Sequence, residues 1–254
     1  MTGYLYDGSF DGFLSCVFES YARKEDPLLI QTADQDQPFL MAMTTVVTRP
    51  ERARRVENGL KRLSNDIWEM VRDGFLCDCI KDREVNLLRL IRQLFQYGPS
   101  AAVNYADPVV HTVWKGLRHM REEGHLLSGF IRFSEYNGVL VSVISPKNQV
   151  LPMLARHFLT RFPGEQFMIY DQNHKVAFIH TTQKSEFIEV QSLTLPPVGR
   201  EEAAFRAMWR SYFNHAAIPQ RENPLCQRTH LSLRYRPWMT EFTDDWQEAC
   251  RLTE

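Results

Sequence analysis

The hydrophobic pattern of the chain changes from a helical period to strand-like alternation near Ser128. Before this residue, apolar side chains recur every three or four positions and predict helices at about 50–70, 82–97 and 108–124. After it come strand-like runs in two pairs, with a helical segment at about 151–162 between the pairs. The pattern predicts an α+β fold, with a helical layer, antiparallel β-hairpins and a β-β-α-β-β unit in the second half.

Turn residues set the limits of the two predicted hairpins. Asn137-Gly138 separates the strands of the first hairpin, and this pair favours a two-residue turn with positive φ at both positions. A four-residue connection at 172–175 separates the strands of the second hairpin. The predicted strands lie at 130–135, 139–144, 166–171 and 176–181.

The N-terminal part predicts a strand, a turn and a helix in succession. The strand is predicted at 4–6, and Ser9 is expected to be the N-cap of the helix. A further strand is predicted at 39–47. We divide the chain into an N-terminal α+β region at 1–105 and a C-terminal α+β domain at 106–254, with a single domain as the alternative.

Composition limits the classes of protein to which the chain can belong. The formal net charge is −1, so any nucleic-acid surface must be a local basic patch. No run approaches the roughly 18 apolar residues of a membrane span, and the N-terminus lacks a signal-peptide pattern. We therefore expect a cytoplasmic protein that does not bind membranes. The five cysteines do not form a secreted disulfide pattern and are interpreted as thiols.

The sequence has no pattern that is typical of a bound cofactor. Cys77 and Cys79 lack the spacing and the second ligand pair of a zinc site, and there is no cysteine triad for an iron–sulfur cluster. Neither a glycine-rich phosphate loop nor a dinucleotide-binding fingerprint is present. We predict that the chain has no metal site and no cofactor.

Arginines and aromatic residues alternate in the segment 200–238. The segment contains seven arginines and three glutamates, a local balance of +4. Guanidinium groups bind phosphates and aromatic rings stack on bases, so this composition favours single-stranded or distorted nucleic acid as a partner. The candidate nucleic-acid-binding residues are Arg210, Tyr212, Arg221, Asn223, Gln227, Arg228, Arg234 and Tyr235.

The aromatic residues of this segment also have a plainer interpretation. Phe205, Met208, Trp209 and Tyr212 have the spacing of a helix stripe that faces a core. Packing is the favoured expectation for these individual side chains.

A histidine, an arginine and an aspartate form the candidate catalytic group. His157 and Arg161 are four residues apart and should share a helix face, and Asp171 ends the next predicted strand. Such a group can orient a phosphate or transfer a proton. The favoured alternative is structural, with Asp171 capping the turn and pairing with Arg161.

Several motifs resemble those of a bacterial family of DNA metabolism or repair proteins with no assigned reaction. Similar C-terminal motifs are Trp209-Arg-Ser-Tyr212, Ile218-Pro-Gln-Arg221-Glu-Asn223-Pro224, Gln227-Arg228-Thr-His230, Arg234-Tyr235 and Met239-Thr-Glu241. Similar motifs earlier in the chain are Tyr6-Asp-Gly-Ser-Phe10-Asp-Gly-Phe13, His157-Phe-Leu-Thr-Arg161-Phe162 and Ile169-Tyr-Asp171.

The resemblance implies a DNA-repair context. Relatives are associated with a radical S-adenosylmethionine DNA-repair protein, and some are fused to a uracil-DNA-glycosylase-like domain. It therefore implies DNA and the radical S-adenosylmethionine protein as partners. It implies no reaction for this chain, and the oligomeric state is left open.

Three functional hypotheses follow. The first is an accessory protein of DNA repair or DNA metabolism that binds nucleic acid, or the radical enzyme, through the arginine- and aromatic-rich C-terminal surface. The second is a hydrolase or lyase acting on modified nucleic acid, which requires His157, Asp171 and the loop arginines to share one cleft. The third is a protein–protein adaptor without nucleic-acid contact, which predicts that the C-terminal aromatic residues form an exposed apolar patch.

Overall fold

The protein is an α+β protein, as the sequence predicts. The computed structural model describes residues 2–32, 41–216, 218 and 223–242. The chain divides into two compact units, Met1–Met120 and Arg121–Glu254, which we call unit 1 and unit 2. The division falls inside one helix, α5 (Pro108–Phe130).

Unit 1 contains a parallel sheet of three strands with β1 in the centre. Tyr4 of β1 pairs with Ile30 on one side and Thr44 on the other, and its side chain is fully buried. The strand predicted at 4–6 is confirmed, and the strand predicted at 39–47 is shorter than expected, since the described part of that range is a strand only at 42–45. The strand at 29–32 was not predicted. The strands are β1 (Thr2–Tyr6), β2 (Leu29–Thr32) and β3 (Ala42–Thr45).

The first helix, α1 (Phe10–Ala22), begins as predicted. The Oγ atom of Ser9 accepts a hydrogen bond from the backbone N–H of Gly12 at 2.9 Å. Asp7 holds this turn, because Oδ1 accepts from the Ser9 N–H and hydroxyl and Oδ2 accepts from the Thr48 hydroxyl. Burial opposes ionisation of Asp7, but these hydrogen bonds outweigh it and lower the pKa of the carboxyl.

The helix predicted at 50–70 is wrong as a single element. It is two helices, α2 (Pro50–Leu63) and α3 (Asn65–Phe75), separated by Ser64. Ser64 has extended backbone, and its Oγ accepts from the backbone N–H of Asp66 at 3.1 Å. A serine side chain competes for backbone donors in this way, so it starts a new helix while the apolar spacing continues across the break.

Two later helices differ in how well their ends were predicted. Helix α4 (Arg83–Tyr97) ends at Gly98 with φ 78°, as expected. Helix α5 does not end at Gly124 but continues to Phe130, so that prediction is wrong. A Cβ at Gly124 would lie 3.2 Å from Cε of Met153, so this glycine allows close packing inside unit 2 rather than ending the helix.

Unit 2 contains a five-stranded mixed sheet in sequence order. Strands β5 and β6 are parallel and are connected by α6 (Leu151–Arg161), whereas the other neighbours are antiparallel. The β-β-α-β-β unit is therefore confirmed, and β8 extends it. The strands are β4 (Ser134–Tyr136), β5 (Val139–Ile144), β6 (Phe167–Asp171), β7 (Val176–His180) and β8 (Ser185–Glu189).

The first hairpin has the predicted turn. Asn137 and Gly138 have φ values of 53° and 83°, the positive values that a two-residue hairpin turn requires. The strand before the turn is shorter than predicted and begins at Ser134, because Phe130 still belongs to α5.

Helical segments complete the described part of unit 2. Helix α7 (Arg200–Ala216) and helix α8 (Pro224–His230) precede a 3-10 segment, Leu233–Trp238. Among the described residues, no helix is both long enough and apolar enough to cross a membrane.

Replacing Gly116 of α5 with alanine should lower the free energy of unfolding by about 1–3 kcal/mol through overpacking. A Cβ there would lie 2.3 Å from Cγ1 of Ile80 and 3.2 Å from Sγ of Cys77. The control, Gly129→Ala in the same helix, would meet no atom within 4 Å and should be neutral or stabilise by up to about 1 kcal/mol. Urea unfolding measures both variants, and equal midpoints would contradict the close contact.

Candidate functional site

Helix α6 presents the predicted residues His157 and Arg161 to solvent. Its opposite face is buried through Leu151, Leu154, Ala155 and Phe158. The outer face lines an open depression of about 560 Å³. The residues that line it are Met153, Arg156, His157, Thr160 and Arg161.

The depression is positively charged. Arg156 and Arg161 are exposed, and no ion pair joins either of them to a carboxylate in the described part of the chain. The guanidinium group of Arg161 lies 5.9 Å from the ring centroid of Phe162, and the His157 ring meets the Phe158 ring edge-on with centroids 4.9 Å apart. Two guanidinium groups beside an imidazole favour an anionic ligand, above all a phosphate.

Asp171, the third predicted catalytic residue, lies elsewhere in unit 2. It ends β6 with 1% of its surface exposed, and Oδ1 accepts from the backbone N–H groups of Asn173 and His174 at 3.1 and 3.2 Å. Its other oxygen, Oδ2, lies 2.6 Å from Nδ1 of His174. Asp171 therefore caps the turn, as the structural alternative expects, but its side-chain partner is His174 and not Arg161.

The three predicted catalytic residues do not form one group. Within the described ranges, no hydrogen bond or ion pair joins Asp171 to His157 or to Arg161, and Asp171 is not among the residues that line the α6 depression. The histidine that contacts Asp171 is His174. Sequence reasoning missed it, although an aspartate followed by a histidine three positions later in a turn was a usable signal.

The Asp171–His174 pair lies at the carboxyl ends of the parallel strands β5 and β6. Asp171 is the register partner of Ile144, and the following turn is bound to the loop after β5. The backbone N–H of Gln172 donates to the Ile144 carbonyl at 2.9 Å, and Nδ2 of Asn173 donates to the Pro146 carbonyl at 2.6 Å. An ionised Asp171 accepts the Nδ1 proton of His174 and so determines the tautomer of this ring.

The same loop is fixed from the other side by Glu123. This carboxylate of α5 is 3% exposed and accepts from the backbone N–H of Lys147 at 2.7 Å, and from the backbone and side-chain amides of Asn148 at 3.0 and 2.7 Å. The hydroxyl of Tyr235 donates to it as well. Burial, followed by the hydrogen bond with Glu123, raises the pKa of Tyr235, so the hydroxyl remains protonated as a donor.

Several of the predicted nucleic-acid-binding residues have structural contacts. Tyr235 is 7% exposed, so its ring is not open for stacking on a base. Arg234 donates to the Ser145 carbonyl at 3.0 Å. Arg206, part of the same basic segment, is buried between Glu202 and the hydroxyl of Ser134. These groups stabilise unit 2 rather than forming an open basic surface.

Other predicted residues are exposed on α8. Asn223 is the N-cap, with Oδ1 accepting from the Cys226 N–H at 3.0 Å, and Gln227 and Arg228 are on the exposed helix that follows. Arg210 is partly buried on α7. Arg221 lies outside the described residues.

The aromatic residues of α7 are exposed, which contradicts the favoured expectation that they pack in a core. Phe205 and Tyr212 are each 64% exposed, Met208 58% and Trp209 38%. The helix is bound through Arg206 and through the indole N–H of Trp209, while Phe205, Met208 and Tyr212 remain largely exposed. Helical spacing correctly predicted a shared face but contained no information on what covers it.

Trp209 is held in place by a buried ion pair. Arg132 donates from Nε and Nη2 to the two oxygens of Glu241 at 3.1 and 2.6 Å, and the Glu241 side chain is 2% exposed. Nε1 of Trp209 donates to the same carboxylate at 3.2 Å. Tyr212 stacks on Trp209 with centroids 5.7 Å apart, so an ordered pair of rings reaches solvent.

Comparison with known proteins identifies the family. Residues 81–241, more than half of the chain, match the domain of unknown function DUF4130. The chain belongs to this family. No curated protein matches the chain.

The matched range contains the groups described above. The α6 depression, the Asp171–His174 pair, the Glu123 network and the α7 rings all lie inside the DUF4130 domain. Cys77 and Cys79 lie before its first matched residue.

Removing the Tyr235 hydroxyl should destabilise the DUF4130 domain. Tyr235→Phe takes one donor from the buried Glu123 carboxylate, so we expect the free energy of unfolding to fall by about 2 kcal/mol. Tyr212→Phe removes the same atom from an exposed ring and should change it by less than about 0.5 kcal/mol. Urea unfolding of both variants is the measurement, and a Tyr235→Phe variant as stable as Tyr212→Phe would refute the role of the network.

Proposed function

We propose that this protein is an accessory protein of DNA metabolism that binds nucleic acid through unit 2. The observation that carries the proposal is the basic depression on α6. Arg156 and Arg161 are exposed there, and within the described residues neither has a carboxylate partner. Because the net charge of the chain is −1, such a local patch is the kind of surface on which a polyanion can bind.

Phosphate groups are the proposed ligands of α6. Each guanidinium can donate two parallel hydrogen bonds to one phosphate, and the hydroxyl of Thr160 and the ring of His157 lie in the same depression. The depression is wide open to solvent, and the residues that line it all belong to α6. We therefore assign to it backbone contacts, which provide affinity without reading sequence.

The Trp209–Tyr212 pair is the proposed stacking surface. Exposed rings bind unpaired bases with little regard to sequence, because every base has a π face. This supports single-stranded or distorted DNA rather than regular duplex as the preferred form. The proposed contacts are Arg156, Arg161, Tyr212 and Arg228, whereas Arg206, Arg234 and Tyr235 have structural contacts.

The biological context of the proposal comes from the resemblance to DNA-repair proteins. Relatives are associated with a radical S-adenosylmethionine repair protein, and some are fused to uracil-DNA-glycosylase-like domains. We propose that the protein presents DNA to such a partner enzyme. The chemistry of repair then belongs to the partner.

Charge reversal on α6 should weaken DNA binding. We expect Arg156→Glu with Arg161→Glu to lower the affinity for single-stranded DNA at least tenfold, measured by fluorescence anisotropy with labelled single- and double-stranded oligonucleotides. The slope of log K against log salt should become shallower by about 1 to 1.5, since two phosphate contacts are lost.

A matched control lies in unit 1. Arg54→Glu with Arg62→Glu makes the same change of charge on the exposed face of α2. We expect it to leave both the salt slope and the affinity within about twofold of the wild type. Equal losses for the two double variants, or no binding by the wild type at low salt, would refute the proposed surface.

A second candidate function is protein–protein docking on α7, and one observation favours it. Phe205, Met208 and Tyr212 form an exposed apolar stripe, and aromatic residues and methionine are enriched at protein interfaces. The radical S-adenosylmethionine protein is the proposed partner, as the resemblance implies.

Polar substitution of the stripe separates this function from DNA binding. Phe205→Ser with Met208→Ser should weaken association with the radical enzyme at least tenfold by calorimetry and leave DNA affinity unchanged. Val47→Ser, at an exposed apolar residue of unit 1, is the control. If the double variant binds the enzyme as tightly as the control does, α7 is not the docking surface.

A further inference from the structure

Two cysteines lie side by side in the turn between α3 and α4. The Sγ atoms of Cys77 and Cys79 are 3.2 Å apart, and both residues are thiols. The chain reverses here, since the backbone N–H of Ile80 donates to the Cys77 carbonyl at 3.2 Å. A disulfide requires a sulfur separation of about 2.0 Å, so the two sulfurs must approach each other by about 1.2 Å to form one.

The two thiols differ in exposure. Cys77 is fully buried, whereas Cys79 is exposed. Burial, followed by the hydrogen bond with Cys79, raises the pKa of the Cys77 thiol. An oxidant in solution therefore reacts with the accessible Cys79 first. Cys77 lies next to it as a protonated thiol.

Gly116 of α5 packs against the two cysteine sulfurs. The Cys79 thiol donates to the Gly116 carbonyl at 3.7 Å, and a Cβ at Gly116 would lie 3.2 Å from Sγ of Cys77. The absence of a side chain on Gly116 lets α5 pack directly against both sulfurs. The proximity of the two thiols is thus fixed by tertiary packing as well as by the turn.

We propose that Cys77 and Cys79 are a redox-active dithiol that a peroxide oxidises to an intrachain disulfide. In the first step the Cys79 thiolate attacks one peroxide oxygen, the O–O bond breaks and Cys79 becomes a sulfenic acid while hydroxide leaves. In the second step the Cys77 sulfur attacks the Cys79 sulfur and the S–O bond breaks. The hydroxyl leaves with the Cys77 proton as water.

The product is a reversible disulfide rather than one that stabilises the fold. The closed loop contains only Asp78 between the cysteines, so it removes little entropy from the unfolded chain and adds little stability. A thiol reductant attacks the exposed Cys79 sulfur and restores both thiols. This site lies outside the DUF4130 match, and the inference does not depend on the proposed function.

Peptide mapping of the full chain tests the proposal. Trypsin releases residues 73–81 as one peptide that contains both cysteines. After brief treatment of the folded protein with hydrogen peroxide and alkylation under denaturing conditions, we expect this peptide to have lost two hydrogens and to carry no alkyl group. Dithiothreitol should return it to the doubly alkylated form.

Single substitutions separate the two steps. In Cys77→Ser, Cys79 should stop at the sulfenic acid, which dimedone traps, while in Cys79→Ser the buried Cys77 should remain a thiol. Cys226→Ser removes an exposed cysteine elsewhere and should leave disulfide formation in 73–81 unchanged. Two results would overturn the inference: over-oxidation of Cys79 in the wild type without loss of the Cys77 thiol, or equal dimedone labelling in wild type and Cys77→Ser.

Discussion

The buried carboxylate of Glu123 is the constraint on which unit 2 depends most. Removing a charged group from water is costly unless hydrogen bonds replace its hydration, and Glu123 accepts four of them. The donors come from the loop after β5 and from Tyr235 in the final 3-10 segment. One side chain of α5 therefore holds in place two segments that are far apart in sequence. The loop leads directly into α6, so the same interaction positions the basic depression.

Ion pairs divide the basic residues of unit 2 into two groups. Arg132 pairs with Glu241, whose carboxylate also accepts a hydrogen bond from Trp209 of α7. Arg206 pairs with Glu202 of the same helix and attaches α7 to β4 by donating to the hydroxyl of Ser134. A guanidinium that is committed to a buried carboxylate does not bind an external phosphate. Arg156 and Arg161 of α6 and Arg228 of α8 are exposed. The basic segment at 200–238 therefore contributes fewer ligands for a polyanion than its charge of +4 suggests.

Much of the fold was predictable because its signals are local. Asn137-Gly138 fixes the hairpin turn through the φ values that these residues adopt, and Ser9 caps α1 through a hydrogen bond to a neighbour three residues away. The predictions that were wrong involve choices between equally good local options. Ser64 caps a new helix instead of continuing the old one, and Gly124 packs against Met153 instead of ending α5. Local sequence signals do not distinguish these outcomes, since a serine and a glycine are each found both inside helices and at their ends.

For the candidate site, the sequence by itself determined which residue types are present and which of them share a helix face. It placed His157 and Arg161 on one side of α6 and the aromatic residues of α7 on one stripe. Only the tertiary structure decided that the α7 stripe faces solvent, that Tyr235 is buried against Glu123 and that Asp171 holds His174 rather than His157. The physical reason is that helical periodicity records which side chains point together, whereas burial and pairing depend on segments brought together from distant parts of the chain.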